Sequence, residues 1–168
     1  MSAPYSAKFR IEPATERDVA VVLRMIKGLA EYERMSDKVV ATESALREWL
    51  FGPRAVAEAV IARAGDEPVG FAVFFPTFST FQGRPGLYLE DLFIVPHWRR
   101  HGLGRKLLAH VAAVAAARGC SRLTWAVLDW NEPALDFYRS LGAEPVQEWV
   151  GYGLFGDALA RLAETSDR

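Results

Sequence analysis

The sequence predicts a mixed α/β fold, and three observations predict it. Short apolar or alternating segments bounded by Gly, Pro and Asp mark strands. Longer segments with apolar residues three and four apart mark amphipathic helices. The second half runs strand, long helix, strand, an order that requires a βαβ crossover and therefore some parallel pairing. The chain of 168 residues is long enough to hide roughly 70% of its unfolded surface in one core. It shows no repeat, linker or low-complexity stretch, so residues 1–168 are expected to form one domain.

Each element has its own signal. Phe9 and Ile11 alternate with Arg10 and Glu12, a half-buried strand stopped by Pro13. Thr15 and Asp18 stand three apart, a capping-box-like start with Asp in place of Glu or Gln. Val19, Val22, Leu23, Ile26, Leu29 and Ala30 follow at helical spacing, which predicts a helix over 16–33. Thr42 is placed to cap a second helix with Leu46, Trp49 and Leu50 on its apolar face, ended by Gly52-Pro53. Ala57–Ala64 and Val69–Phe75 read as strands around the hairpin signal Gly65-Asp66-Glu67-Pro68. Thr77–Gly86 reads as a loop, and Leu87–Val95 as a third strand. A long helix carries Leu103, Leu107, Leu108, Val111 and Val114 on its buried face and ends at Gly119. Leu123–Leu128 reads as a strand, and Pro133 and Gly142 bracket a short helix. Val146–Phe155 reads as extended and Asp157–Glu164 as a closing helix.

Composition excludes several classes. Twenty Lys and Arg against 21 Asp and Glu leave a net charge of −1, which provides no global field for nucleic acid or an anionic membrane. The longest apolar run, Val111–Ala117, is far below the roughly 20 residues of a spanning helix. The single cysteine, Cys120, closes no intrachain disulfide and builds no zinc site alone. With no basic-then-apolar leader, a cytoplasmic location is expected.

The chemistry concentrates in Leu89-Glu90-Asp91-Leu92-Phe93-Ile94-Val95, followed by Pro96-His97-Trp98-Arg99-Arg100-His101-Gly102-Leu103-Gly104-Arg105. A strand enters a basic, glycine-containing turn that opens directly onto a helix. Helix starts carry unpaired N–H groups and the positive end of the dipole, and Gly102 and Gly104 let the backbone approach a ligand. Two readings are open on the turn alone: a phosphate cradle helped by Arg99, Arg100 and Arg105, or a plain turn with solvated arginines. A Walker loop is excluded because Lys106 has neither the spacing nor a following Ser or Thr. A dinucleotide fingerprint is excluded because Leu107 stands where its third glycine would be.

Arg99-x-x-Gly102-x-Gly104 after an apolar strand resembles the acyl-CoA pyrophosphate motif of the GNAT N-acetyltransferases. Asn131-Glu132-Pro133-Ala134-Leu135-Asp136-Phe137-Tyr138, followed by Leu141-Gly142-Ala143, resembles that family's second block. Arg10–Thr15, Ile26–Glu33 and Tyr88–Asp91 resemble the diamine (spermidine/spermine) branch, which includes thialysine-acetylating relatives. The resemblance covers roughly residues 8–155.

The resemblance implies a twisted, mostly antiparallel sheet flanked by helices, with a central parallel strand pair that splays into a slot for acetyl-CoA, the co-substrate. It implies that pantetheine pairs with the backbone of Leu92, Phe93 and Ile94. The pyrophosphate would rest on Arg100, His101, Gly102, Leu103, Gly104 and Arg105 with Arg99 nearby, and Asn131, Glu132, Pro133 and Ala134 would line the other wall. Tyr138 matches the general acid, a phenol able to protonate the departing thiolate; taken without the surrounding block, it reads as a core aromatic beside Phe137. Glu90 matches the carboxylate that takes the amine's proton through water. Asp91 would then face the other side of a regular strand as a structural residue; two adjacent acids could also be an edge ion pair and a solvated group. Tyr32 and Glu33 match positions that contact the acceptor, with Trp125 and Ala126 bordering it, although Glu33 also reads as an exposed acid at a helix end.

Two positions depart from the branch: Leu141 stands where a cation is usual and Val150 where an acid is, with Glu148 close enough to replace it. These departures favour a small amine, a diamine or thialysine-like amino acid, over a long polycation. His97, His101 and His110 read as polar surface residues, and Cys120 as a small buried one. The resemblance implies a homodimer and no metal. The rivals are a non-catalytic acyl-CoA sensor and a protein lysine or N-terminal acetyltransferase, whose groove the 77–84 loop would narrow.

Overall fold

A computed structural model describes residues 9–146 and 150–166. They fall into two compact units divided after Leu128. The first unit is built on a five-stranded sheet in the order β1 (Phe9–Pro13), β2 (Glu58–Ala64), β3 (Glu67–Ser79), β4 (Arg84–Ile94) and β5 (Leu123–Thr124). The first four pair antiparallel, and β4 pairs with β5 in parallel. Three helices accompany the sheet: α1 (Val19–Tyr32), α2 (Glu43–Phe51) and α3 (Leu103–Ala117). The expected mixed fold, largely antiparallel with one parallel pair, is observed.

The local signals act as read. The Thr15 amide donates to the Asp18 carboxylate at 2.8 Å and its hydroxyl to the same oxygen at 2.9 Å, opening a 3-10 turn at Glu16–Asp18 that leads into α1. Thr42 Oγ1 accepts from the Ala45 amide at 3.2 Å to start α2, which satisfies one orphan donor of that helix. Helix α3 buries Leu103, Leu107, Leu108, Val111 and Ala115; the expected Val114 is only half-buried, because Ala115 falls closer to the centre of the stripe.

The two faces of the sheet are read from adjacent residues of β4. Phe93 joins Val22, Met25, Ala59, Ile61, Phe71 and Val73 in a core cluster against which Ile26, Leu29, Leu46 and Leu50 pack. Ile94 approaches Gly70, which Leu107 of α3 also approaches. Successive strand residues point to opposite faces, so α1 and α3 cover opposite sides of β4.

Two expectations are corrected. Thr77–Gly86 is not a loop: Thr77 pairs with Gly86, Phe78 with Pro85 and Ser79 with Arg84, leaving a turn at 80–83. Gly and Pro disguised this hairpin, but the β2–β3 ladder stops where Glu58, the first residue of β2, faces Phe74, so Pro76 removes no donor that this ladder uses. The strand expected over 123–128 forms its ladder only at Leu123 and Thr124. Val150–Phe155 carries no regular structure, and the part of the extended tail at 147–149, including Glu148, lies outside the described residues.

The second unit contains α4 (Glu132–Arg139) and α5 (Gly156–Glu164), close to the two helices expected there. Among the described residues no helix is long and apolar enough to cross a membrane.

Candidate active site

The turn after β4 has the form of an anion cradle. A 3-10 turn at Pro96–Trp98 leads to Arg100, at φ 65°, and to Gly102, at φ 74°, which is the N-cap of α3. Gly102 supplies no capping side chain, so the first amides of α3 keep their donors for a ligand. A Cβ placed on Gly102 would meet no atom within 4 Å, and the approach is therefore open. Arg100, His101 and Arg105 are exposed, whereas Leu103 is buried and anchors the helix start. A left-handed arginine costs on the order of 1 kcal/mol and persists only where neighbours impose it. Trp98 ties the turn to the strands beside it: its ring meets Phe9 at 5.7 Å and His101 at 6.4 Å, and its Nε1–H donates to Glu67 at 3.3 Å. The cradle fits the pyrophosphate of acetyl-CoA, with backbone amides as donors and arginines as countercharge.

Arg99 is placed differently from the exposed arginines. Its Nε–H donates to the Ile94 carbonyl at 2.9 Å, and its guanidinium lies 4.6 Å from the Tyr32 ring centre and 5.4 Å from that of Phe93.

The strand before the turn is held on one side only. Strand β4 pairs with β3 from Arg84 to Ile94, but with β5 only at Leu87 and Tyr88. Beyond Tyr88, among the described residues, no strand lies against its second edge. The backbone of Leu92, Phe93 and Ile94, the segment expected to pair with pantetheine, lies in this stretch. The Val95 amide donates across to Val69 of β3, so by alternation the Ile94 carbonyl faces the open edge.

The acids gather where the sheet opens. The β3–β4 register steps from Phe74 opposite Leu89 to Val73 opposite Asp91, which leaves Glu90 as the extra residue of a β-bulge. Strict alternation through Glu90 and Asp91 therefore fails, correcting the expectation of a regular strand. Glu90 is exposed. Asp91 is half-buried, and burial, followed by the charges of Glu90 and Glu33, pushes its carboxyl up to about 6. Glu33, just past α1, is raised by burial. Glu33, Glu90 and Asp91 thus form one electrostatic group drawn from a helix end and a bulge.

Tyr88 belongs beside them. Burial and then the Glu90 charge raise its phenol, opposed by a hydrogen bond from the Ala126 backbone, so Tyr88 reaches the segment of Trp125 and Ala126 beyond β5. Asp91 and Tyr88 are what sequence reasoning left out of the site. The signal for Tyr88 was present, since it lies two residues before Glu90 in a strand. Asp91 was hidden by the bulge.

The remaining expected site residues lie in the second unit. Asn131 caps α4, its side chain accepting from the Ala134 amide at 3.4 Å, with Glu132 and Pro133 in the first turn. Tyr138 is half-buried, its ring 5.3 Å from that of Phe137. Leu141 is half-buried and Val150 exposed. Among the described residues no three His, Cys, Asp or Glu side chains gather as metal ligands.

Residues 25–143 match the Acetyltransferase (GNAT) family, and the chain belongs to that family. It is an acetyl-CoA-dependent N-acetyltransferase, and acetyl-CoA is the family's co-substrate. The chain is 41% identical over 164 residues to the thialysine N-epsilon-acetyltransferase of Bos taurus, covering 91% of this chain and 96% of that one. It is 31% identical to an L-ornithine N5-acetyltransferase of Arabidopsis thaliana, covering 91% and 87%. A solved integron cassette protein from the mobile metagenome of V. cholerae superposes with a TM-score of 0.79 at 27% identity, covering 94% and 98%. The expected superfamily and its diamine/thialysine branch are thereby supported together.

Proposed function

We propose that the protein transfers the acetyl group of acetyl-CoA to a primary amine of a small molecule, a diamine, polyamine or thialysine-like amino acid, by direct attack within a ternary complex. The observation that carries this reading is the group of Glu33, Glu90 and Asp91 at the point where β4 loses β5 as a neighbour. An acceptor with a second ammonium needs an anionic anchor, and these carboxylates supply one. The relatives named for thialysine and ornithine, both with amino-bearing side chains, favour the small end of the range. The departures at Leu141 and Val150 favour it as well.

In this reading the amine, protonated in water, gives its proton through water to Glu90. Its lone pair then forms the C–N bond at the thioester carbonyl. The C–S bond breaks, the sulfur leaves with the proton of the Tyr138 hydroxyl, and the proton that the new amide nitrogen must shed passes through water to the Tyr138 phenolate and restores it. Tyr32, Glu33, Trp125 and Ala126 border the acceptor, and Asp91 adds to its anchor. Leu92, Phe93 and Ile94 receive pantetheine, the Arg100–Arg105 turn receives the pyrophosphate, and Asn131, Glu132, Pro133 and Ala134 also bind the cofactor. No step calls on a metal. Both units act as one domain, as a cytoplasmic homodimer, with neither nucleic acid nor membrane as partner.

The test is thiol release from acetyl-CoA with putrescine, spermidine, thialysine, ornithine, free lysine and a lysine peptide. A small amine should be preferred, and Tyr138→Phe should lower kcat about a hundredfold or more while acetyl-CoA still binds. Preference for the peptide would transfer the protein to the protein-acetylating class. Tight acetyl-CoA binding without release by any amine would make it a sensor.

A further inference from the structure

Arg99 opens the turn assigned to the cofactor, yet its side chain reaches toward helix α1. Four groups are stacked in series. Gly28 of α1 lies so close to Phe93 that a Cβ there would stand 3.0 Å from two atoms of the ring. The Phe93 ring lies under the Arg99 guanidinium at 5.4 Å, and the Tyr32 ring lies against the same guanidinium at 4.6 Å. Gly28 and Tyr32 are four residues apart, hence on one face of α1 and one turn from each other. That face therefore rests on Phe93 with its first member and on Arg99 with its second. The guanidinium is fixed from below by Nε–H donation to the Ile94 carbonyl.

We propose that Arg99 is a positioning residue for the acceptor site, a strut that ties the C-terminal turn of α1 to the exit of β4 and so sets where Tyr32 and Glu33 stand. The role deepens the acetyltransferase reading above and rests on it. A planar guanidinium suits the task because it stacks on a ring and donates in its own plane at once. A lysine could serve the ring or the carbonyl, not both. Glu33 follows Tyr32 directly, and its charge is felt at Asp91, so a shift of this helix end changes the anionic group that faces the amine. The same residue borders the pyrophosphate turn, which links the two substrates through one side chain.

The experiment is a double-mutant cycle on Arg99→Gln and Tyr32→Leu, with the amine varied at saturating acetyl-CoA. Arg99→Gln alone should raise the KM for the amine about tenfold. In the Tyr32→Leu background it should add less than about twofold. Arg99→Lys should recover part of the loss. If the two effects multiply, or if Arg99→Gln raises only the KM for acetyl-CoA, Arg99 is not a strut for the acceptor and the proposal fails. The Arg99 Nε–H resonance gives a readout independent of turnover. In the wild type it should exchange slowly and be displaced by the Tyr32 ring, and Tyr32→Leu should remove the displacement. A solvent-like Nε–H in the wild type also overturns the strut. A wild type that releases no thiol while the resonance behaves as expected would instead end the functional reading, and the acceptor role with it.

Discussion

Replacing Asp91 by Asn should make the protein more stable at neutral pH while weakening its grip on the amine. The carboxyl of Asp91 titrates at about 6 rather than the ordinary 3.8, because it is partly withdrawn from water and faces the charges of Glu90 and Glu33. The folded state therefore binds this proton more tightly than the unfolded chain. The stability it contributes is present in full below about pH 4 and is lost as pH rises through about 6. At about 1.4 kcal/mol per pH unit, the gap between 3.8 and about 6 amounts to ~3 kcal/mol. Water reaching a half-buried group and local relaxation reduce this to about 1–2 kcal/mol.

Asn keeps the shape and carries no charge, so Asp91→Asn should raise stability by that amount at pH 7.5 and by nothing near pH 4. Urea unfolding of both proteins from pH 4 to pH 8 measures the difference directly. A gain that is equal at every pH, or a loss at pH 7.5, would refute the assignment of the strain to the charge. In the same variant the KM for the amine should rise, since the group that destabilises the fold is also the one that would hold the ammonium.

Further outcomes follow from the cradle and from the far end of the sheet. Gly102→Ala meets no clash but must hold a left-handed backbone at φ 74°; it should cost about 1 kcal/mol and raise the KM for acetyl-CoA more than that for the amine, as read by unfolding and by initial rates. Arg63 bridges Glu12 at 2.7 Å and Asp18 at 2.5 Å, with its side chain 16% exposed. Arg63→Met should cost about 2–4 kcal/mol by stranding the Asp18 carboxylate. The Glu12 carboxyl is held below its usual range by Arg10 and Arg63. That of Asp18 is held below it by Thr15 and Arg63 despite burial. The stability these groups add is present above the ordinary values and is lost as pH falls through the lowered ones. Acid unfolding of Arg63→Met should accordingly be less steep than that of the wild type.

Much of the fold was legible because its signals are local. Thr42 caps α2, Pro13 ends β1 and the Gly65-Asp66 turn joins β2 to β3 within the 65–68 segment its residue types indicate. The hairpin extension past Phe75 was not legible. Whether a Pro or Gly breaks a strand depends on whether a neighbour needs its donor, and that is a property of the sheet rather than of the segment. The shortness of β5 was hidden for a related reason. Trp125, Val127 and Leu128 have strand-like character, but a ladder requires a partner edge within reach, and among the described residues β4 and β5 pair only at Leu87 with Leu123 and Tyr88 with Thr124.

The site was legible to the extent that it is made of turn chemistry, and hidden where it depends on register. Gly102 and the basic turn point to a cradle from sequence alone, because a helix start and a glycine are enough to define one. The carboxylate group required the bulge at Glu90, a one-residue irregularity between β3 and β4 that no alternation pattern displays. That bulge and the missing β5 partner have a single consequence. Strand β4 is fastened to β3 along its length, which makes it stiff, while its other edge stays open just where the acids gather. A strand stiffened on one side and open on the other is prepared to take an extended ligand on the open edge without reorganising. Weakening the β3–β4 ladder should therefore harm both the backbone edge assigned to pantetheine and the acids assigned to the amine, even from the hairpin turn at 80–83.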